Sequence, residues 1–172
     1  MPTIISRADT GLPARVTTFN RITLRKLLAP ARGLIVAHYT GVHRSYHGLT
    51  QVEVQAVIRG IHRWKANEYN YVIDWAGRIY EFSGEHVAAH AAGFNTTGYG
   101  VLFLNAVGEP MTNEQMYSFH GLFGMLLWTG RVNATPFVVG HQEIAPTACP
   151  GRVMEHIHDM RAYNAGLHSL AS

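Results

Sequence analysis

One cysteine, Cys149, stands in a chain of 172 residues. No internal disulfide can staple the fold, and the thiol is left for packing, metal ligation or nucleophilic chemistry. Charge is sparse too: 15% of residues are charged, against roughly 25% in an average soluble protein. With 47% hydrophobic residues, this composition excludes a disordered tail, an acidic solvating segment and a coiled coil. No apolar run approaches the roughly 18 residues of a membrane span. The longest, 101–104, 121–128 and 137–139, are sized for strands or a helix. The opening MPTIISRADTG lacks the basic and apolar regions of a signal peptide, which predicts synthesis and first residence in the cytosol. Lysine is nearly missing: two Lys and twelve Arg give a net charge of +3. They are scattered singly, which argues against a nucleic-acid partner and would equally suit another anionic polymer.

Histidine, by contrast, is abundant, with 11 in the chain. It is the side chain most used as metal ligand and as acid or base near neutral pH. The length suits one domain over 1–172 with its own core, and no repeat, low-complexity tract or linker divides it. Residues 34–37 read as a buried strand that delivers His38 at its C-terminal end, and 23–28 as a short helix ended by Pro30. Thr50 and Glu53 form a capping box, with Val54, Val57, Ile58 and Ile61 at helical spacing behind it, predicting a helix over 50–66. Residues 69–75 and 78–82 alternate around Ala76-Gly77 as a β-hairpin does. Residues 100–104 read as another strand. Thr112 and Gln115 set a second capping box, for a helix burying Met116, Phe119, Phe123 and Leu126 and stopped by Gly130. A short strand over 137–139 and a helix over 152–167 complete an α/β domain with a mixed central β-sheet flanked by helices.

The sharpest local signal is GHQEIAPTACPG, residues 140–151. His141 at the end of an apolar strand is followed eight positions later by Cys149, in a loop stiffened by Pro146 and Pro150 that can hold both side chains convergent. A catalytic zinc site needs three protein ligands and one open position, and His38 at the mouth of another strand is the obvious third. The same residues suit a Cys149 nucleophile with His141 as its base. A structural His beside an inert Cys is a further alternative, and spacing alone does not choose.

Six segments appear together in the order and spacing of one family: IISRADTGLPAR, LIVAHYTG, IHRWKANEYNYVIDWAGRIYE, AAHAAGFNTTGYGV, MTNEQMYSF and GHQEIAPTACPG. From about residue 4 to about 161 the chain resembles the zinc amidases that include phage endolysin amidases and peptidoglycan-recognition proteins. The resemblance implies their mixed-sheet fold and one Zn²⁺ held by His38, His141 and Cys149. It implies Tyr69 beside the zinc water and Thr147 at a position where the family carries Lys or Thr, both as catalytic residues. The implied reaction is hydrolysis of the amide joining N-acetylmuramic acid to L-alanine in peptidoglycan. His90 and Asn95 match a loop lining the peptide groove, and Arg78, Tyr39 and Thr40 flank matched positions, so His90, Asn95 and Arg78 are candidate substrate-binding residues. Glu143 lies in the right loop for a general base, although shaping the loop or facing solvent is the stronger reading, and Glu81 reads as structural.

Asn70 stands where the family often has His, and Asn105 where Gly usually follows the strand. Neither removes a matched ligand. Amidases of the same fold that recycle anhydromuropeptides carry Asp in place of Cys149, so the Cys points to the endolysin and recognition-protein side. The expected protein is a monomeric catalytic domain of a phage endolysin, made in the host cytoplasm and reaching the wall after holin action or lysis. It has no nucleic-acid partner and no membrane insertion. A recognition module that holds muropeptide uncleaved is the competing reading.

Overall fold

The alternating apolar segments of the sequence assemble into eight strands and three helices in a computed structural model that describes residues 2–13, 18–19, 22–23, 32–65 and 67–171. The strands are β1 (Ile4–Ile5), β2 (Thr18–Phe19), β3 (Ile22–Thr23), β4 (Arg32–Tyr39), β5 (Tyr71–Ile73), β6 (Ile79–Glu81), β7 (Gly98–Phe103) and β8 (Val132–Gly140). The helices are α1 (Gln51–Trp64), α2 (Asn113–Trp128) and α3 (Ile157–Ala171). Six strands form one sheet in the order β1-β6-β5-β7-β4-β8, and β2 and β3 pair separately. Pairing is parallel throughout the sheet except for the antiparallel β5–β6 hairpin. This is the mixed sheet expected from the sequence.

Both capping boxes form. The Thr50 hydroxyl accepts from the Glu53 N–H while the Glu53 carboxylate accepts from the Thr50 N–H, and Thr112 and Gln115 do the same for α2. In the β5–β6 hairpin, Gly77 takes φ +79°, and a Cβ there would meet the Glu114 carbonyl oxygen at 2.6 Å. Only glycine fits a turn that must both adopt positive φ and lie against the first turn of α2.

Alternation along the strands gives each sheet face its own core. Ile35, Ala37, Tyr71, Ile73, Val101 and Phe103 pack with Phe119, Phe123, Leu126, Ile157 and Met160 of α2 and α3. Val72, Tyr80, Leu102 and Leu104 pack on the other face with Val54 and Ile58 of α1. Each fully buried side chain of this size contributes roughly 1.5–3 kcal/mol.

Several expectations are corrected at the edges. Strand β8 begins at Val132, well before 137, where Val132 pairs with Arg32 ahead of a register shift to the Leu34–Phe137 pair. The last helix is preceded by a 3-10 stretch, Gly151–His156, so its α-helical part starts at Ile157. The chain leaves the proline-bearing loop with a short-range bond from Val153 N–H to the Pro150 carbonyl. In α2, Gln115 and Leu122 are buried beside Phe119, Phe123 and Leu126, while Met116 is half-buried. Of the short helix expected over 23–28, Thr23 lies in β3 and the remainder falls outside the described residues.

Candidate metal centre

Strand register brings two of the three expected ligands together. His38 is the register partner of Leu102, which belongs to the core on the α1 side, so His38 emerges on that side near the C-terminal end of β4. One residue earlier, Ala37 pairs with Gly140, so His141, the next residue after β8, leaves its strand beside His38. The two imidazoles lie with centroids 4.6 Å apart and planes at 61°. In parallel sheets the strand carboxyl ends are where ligand sites are built, and this pair sits there.

The third residue arrives by the loop. A 3-10 turn over His141–Glu143 redirects the chain. It is tied down by the Glu143 carboxylate, which accepts from the Gly140 N–H at 2.8 Å and pairs with Arg161 at 2.8 Å. The Arg161 Nε donates to the Val138 carbonyl at 2.7 Å, so the turn, α3 and the end of β8 are one unit. The loop then returns Cys149 to the end of β4, where the Tyr39 N–H donates to its Sγ at 3.4 Å. Cys149 Sγ lies 3.5 Å from His38 Nδ1. One ligand atom from each of His38, His141 and Cys149 fits within 4.8 Å of the others.

The donor set suits zinc. Tetrahedral bonds of about 2.0–2.1 Å to nitrogen and about 2.3 Å to sulfur imply an N···S edge of about 3.6 Å, close to the Nδ1···Sγ separation seen here. Burial, reinforced by His90, His141 and Lys65, holds the His38 pKa well below the ordinary histidine value, and burial lowers that of His141. Both rings therefore offer neutral nitrogen lone pairs. Burial pushes the Cys149 thiol up to about 11, against the opposing pull of the Tyr39 N–H and Lys65. A cysteine nucleophile needs the reverse, a thiol pKa drawn down by its surroundings. Before a metal replaces its proton, this thiol is a poor attacking group.

A cleft of about 400 Å³ opens over the three residues and is also lined by Tyr39, Thr40, Gly41, Lys65, Glu68, Tyr69, Ala89, His90, Thr147 and Ala148. Tyr69 presents its ring edge-on to His38 at 5.3 Å. Its phenol is pushed far above the ordinary tyrosine value, by burial first and then by the charges of Glu68 and Cys149. Thr147, on the exposed rim, accepts from the Cys149 N–H at 3.2 Å through Oγ1. His90 is 6% exposed, with Nδ1 3.3 Å from His38 Nε2 and Nε2 3.3 Å from the Gly98 carbonyl oxygen.

Asn95 and Arg78 do not line this cleft. The Asn95 Oδ1 accepts from the Ala91 N–H at 2.8 Å and closes its own loop. Arg78 pairs with the fully buried Asp74 at 2.5 Å and donates to the Leu49 carbonyl, fastening the hairpin to the segment before α1. Asn70 is wholly enclosed: it donates to the Gly84 and His86 carbonyls and accepts from the Gly100 N–H, so it stitches the hairpin to β7. Glu81 accepts from the Arg7 N–H at 3.4 Å, beside β1. Lys65 and Glu68, paired at 3.2 Å, are cleft residues that sequence reasoning missed. Their only cue was position, four residues and one residue before Tyr69.

The profile of the N-acetylmuramoyl-L-alanine amidase family matches residues 30–152, well over half the chain and all three clustered ligands. The chain belongs to that family. Among relatives of this family chain, a peptidoglycan recognition protein of Trichoplusia ni is 27% identical over 112 residues, 60% of this chain and 62% of the moth protein. The N-acetylmuramoyl-L-alanine amidase of Mus musculus is 26% identical over 104 residues, 59% of this chain and 20% of the mouse protein. The chain thus spans less than two thirds of either relative. In fold it is similar to bumblebee PGRP-SA, with a TM-score of 0.78 at 20% identity over 92% of this chain and 95% of that one. It is also similar to peptidoglycan recognition protein-LE in complex with tracheal cytotoxin, a monomeric diaminopimelic acid-type peptidoglycan. There the TM-score is 0.77 at 23% identity, covering 91% and 92% of the two chains.

Proposed function

We propose that this chain is a zinc-dependent hydrolase that cleaves the amide between N-acetylmuramic acid and L-alanine in peptidoglycan. The observation that carries the reading is the convergence of His38, His141 and Cys149 at the floor of an open cleft. Amidase-family membership narrows the substrate to peptidoglycan, and the protein-LE neighbour, solved with a monomeric diaminopimelic acid-type peptidoglycan, supports a muropeptide as the ligand. Zinc in this donor set supplies Lewis acidity, lowering the pKa of a water and polarising the scissile carbonyl.

The chain's own residues do the rest. His38 and His141, neutral through burial, present lone pairs without first losing a proton. The Tyr69 phenol keeps its proton across the working pH range and donates from Oη to the carbonyl oxygen as negative charge builds there. The Thr147 hydroxyl, whose oxygen already accepts from the Cys149 N–H, has its own proton available for a second donation at the rim. The Glu143 carboxylate is occupied by Gly140 and Arg161, so it shapes the loop and does not serve as the base. The lone thiol requires no oxidising compartment. We read the chain as the catalytic domain of a phage endolysin, made in a host cytoplasm and acting on the wall after holin action or lysis.

The test is digestion of purified peptidoglycan of defined stem chemistry, with and without a chelator, read by mass spectrometry. Free stem peptides with an L-alanine amino terminus, lost on chelation and restored by Zn²⁺, are expected. Intact muropeptides that co-sediment with the protein would make it a recognition module instead.

A further inference from the structure

His90 lies between the metal centre and β7, and its surroundings define what its ring can do. The imidazole packs against the glycine backbone of that strand: a Cβ on Gly100 would lie 2.5 Å from His90 Cγ, and one on Gly98 would meet the Phe94 carbonyl oxygen at 3.1 Å and His90 Cε1 at 3.4 Å. The ring therefore occupies space that Gly100 leaves open. Its two nitrogens both point at protein groups, Nε2 at the Gly98 carbonyl oxygen and Nδ1 at His38 Nε2.

The polarity of that chain of contacts is fixed at one end. A backbone carbonyl can only accept, so His90 Nε2 carries the proton that it donates to Gly98. In the neutral ring Nδ1 is then an acceptor, which makes His38 Nε2 the donor and leaves the His38 lone pair on Nδ1. That is the atom 3.5 Å from Cys149 Sγ. Metal-binding histidines ordinarily donate their second N–H to a carboxylate, carbonyl or water, and such partners set both tautomer and ring orientation.

We propose that His90 is a positioning residue for His38, passing the acceptor character of the Gly98 carbonyl through its own ring so that His38 Nδ1 faces the metal position. This rests on the zinc reading above. It gives His90, which the resemblance assigns to the peptide groove, a role beneath that groove. It also explains Gly100 of β7 as the seat of the ring.

The experiment measures Zn²⁺ affinity of the full chain by competition with a chromophoric chelator at fixed pH, for wild type, His90→Ala, His90→Gln and Gly100→Ala. His90→Ala should weaken binding by about 10- to 100-fold. His90→Gln, which keeps an acceptor for His38 and a donor for Gly98, should recover most of that loss. Gly100→Ala should weaken binding by displacing the ring while removing no polar group. A His90→Ala protein with wild-type affinity would overturn the inference and leave the zinc reading standing, whereas a wild-type chain that binds no zinc would overturn both. Imidazole ¹⁵N spectra of metal-free wild type add a readout that no folding defect can confuse. The proton is expected on Nε2 of both His38 and His90, and a proton on His38 Nδ1 would refute the relay.

Discussion

Removal of one oxygen from Tyr69 separates a catalytic phenol from a packing ring. The ring meets His38 edge-on at 5.3 Å and Phe82 at 6.3 Å, contacts that phenylalanine keeps. Only the hydroxyl is lost, and burial with the nearby Glu68 and Cys149 keeps that hydroxyl protonated at any working pH. In stability the change should stay within about 0.5–1.5 kcal/mol, the net worth of a hydrogen bond. In catalysis a donor aimed at developing negative charge is worth more, about 10- to 1,000-fold in kcat, the upper figure corresponding to roughly 4 kcal/mol. The loss should fall on kcat with KM nearly constant, because the bond strengthens as charge develops on the carbonyl oxygen. Release of stem peptides from defined peptidoglycan gives kcat and KM, while metal analysis and a melting curve report the site and the fold. Full zinc content with kcat within threefold of wild type would refute the donor role, as would a rate loss matched by a loss of metal.

Zinc affinity should depend on pH with a known sign. The metal must displace the Cys149 proton, held by burial up to about pH 11, so apparent affinity should rise about tenfold per unit between pH 7 and 8.5. A pH-independent affinity would exclude thiolate ligation, and Cys149→Ser should weaken metal binding and abolish cleavage. Glu143→Gln should keep kcat within about threefold and lower stability by about 0.2–1 kcal/mol, the worth of a partly exposed ion pair. A hundredfold fall in kcat at full zinc content would instead make Glu143 the base. His38, His62, His120 and His141 all have pKa values lowered by burial, so below about pH 6.5 the unfolded chain binds more protons than the folded one. The metal-free protein should therefore lose melting temperature between pH 7 and pH 5, and a flat profile would contradict the buried, neutral state of these rings.

What the sequence made legible was local. The Thr50–Glu53 and Thr112–Gln115 boxes, the Gly77 turn and the His141–Cys149 loop each declare themselves within a few residues, because capping, positive φ and proline stiffness act over that range. The position of His38 at the mouth of a strand offered it as the third ligand, the family resemblance implied the same set, and strand register supplies the physical cause: Ala37 opposite Gly140. The unread parts depend on contacts between distant segments. Strand β1 is two residues long and exists by pairing with β6 some 75 positions on, and the early start of β8 rests on the pairing of Val132 with Arg32. Arg78 illustrates the same limit at the site. Beside matched positions it reads as a substrate ligand, but Asp74, whose buried carboxylate also takes the Ala76 and Arg78 N–H groups and the Tyr80 hydroxyl, claims its guanidinium. A buried carboxylate is costly unless it is paired. That demand is set by the depth of Asp74 in the folded hairpin, which no spacing in the sequence expresses. The same reasoning separates His90 from the exposed histidines, since a ring buried against Gly100 has its partners, the Gly98 carbonyl and His38, chosen by the fold before any substrate arrives.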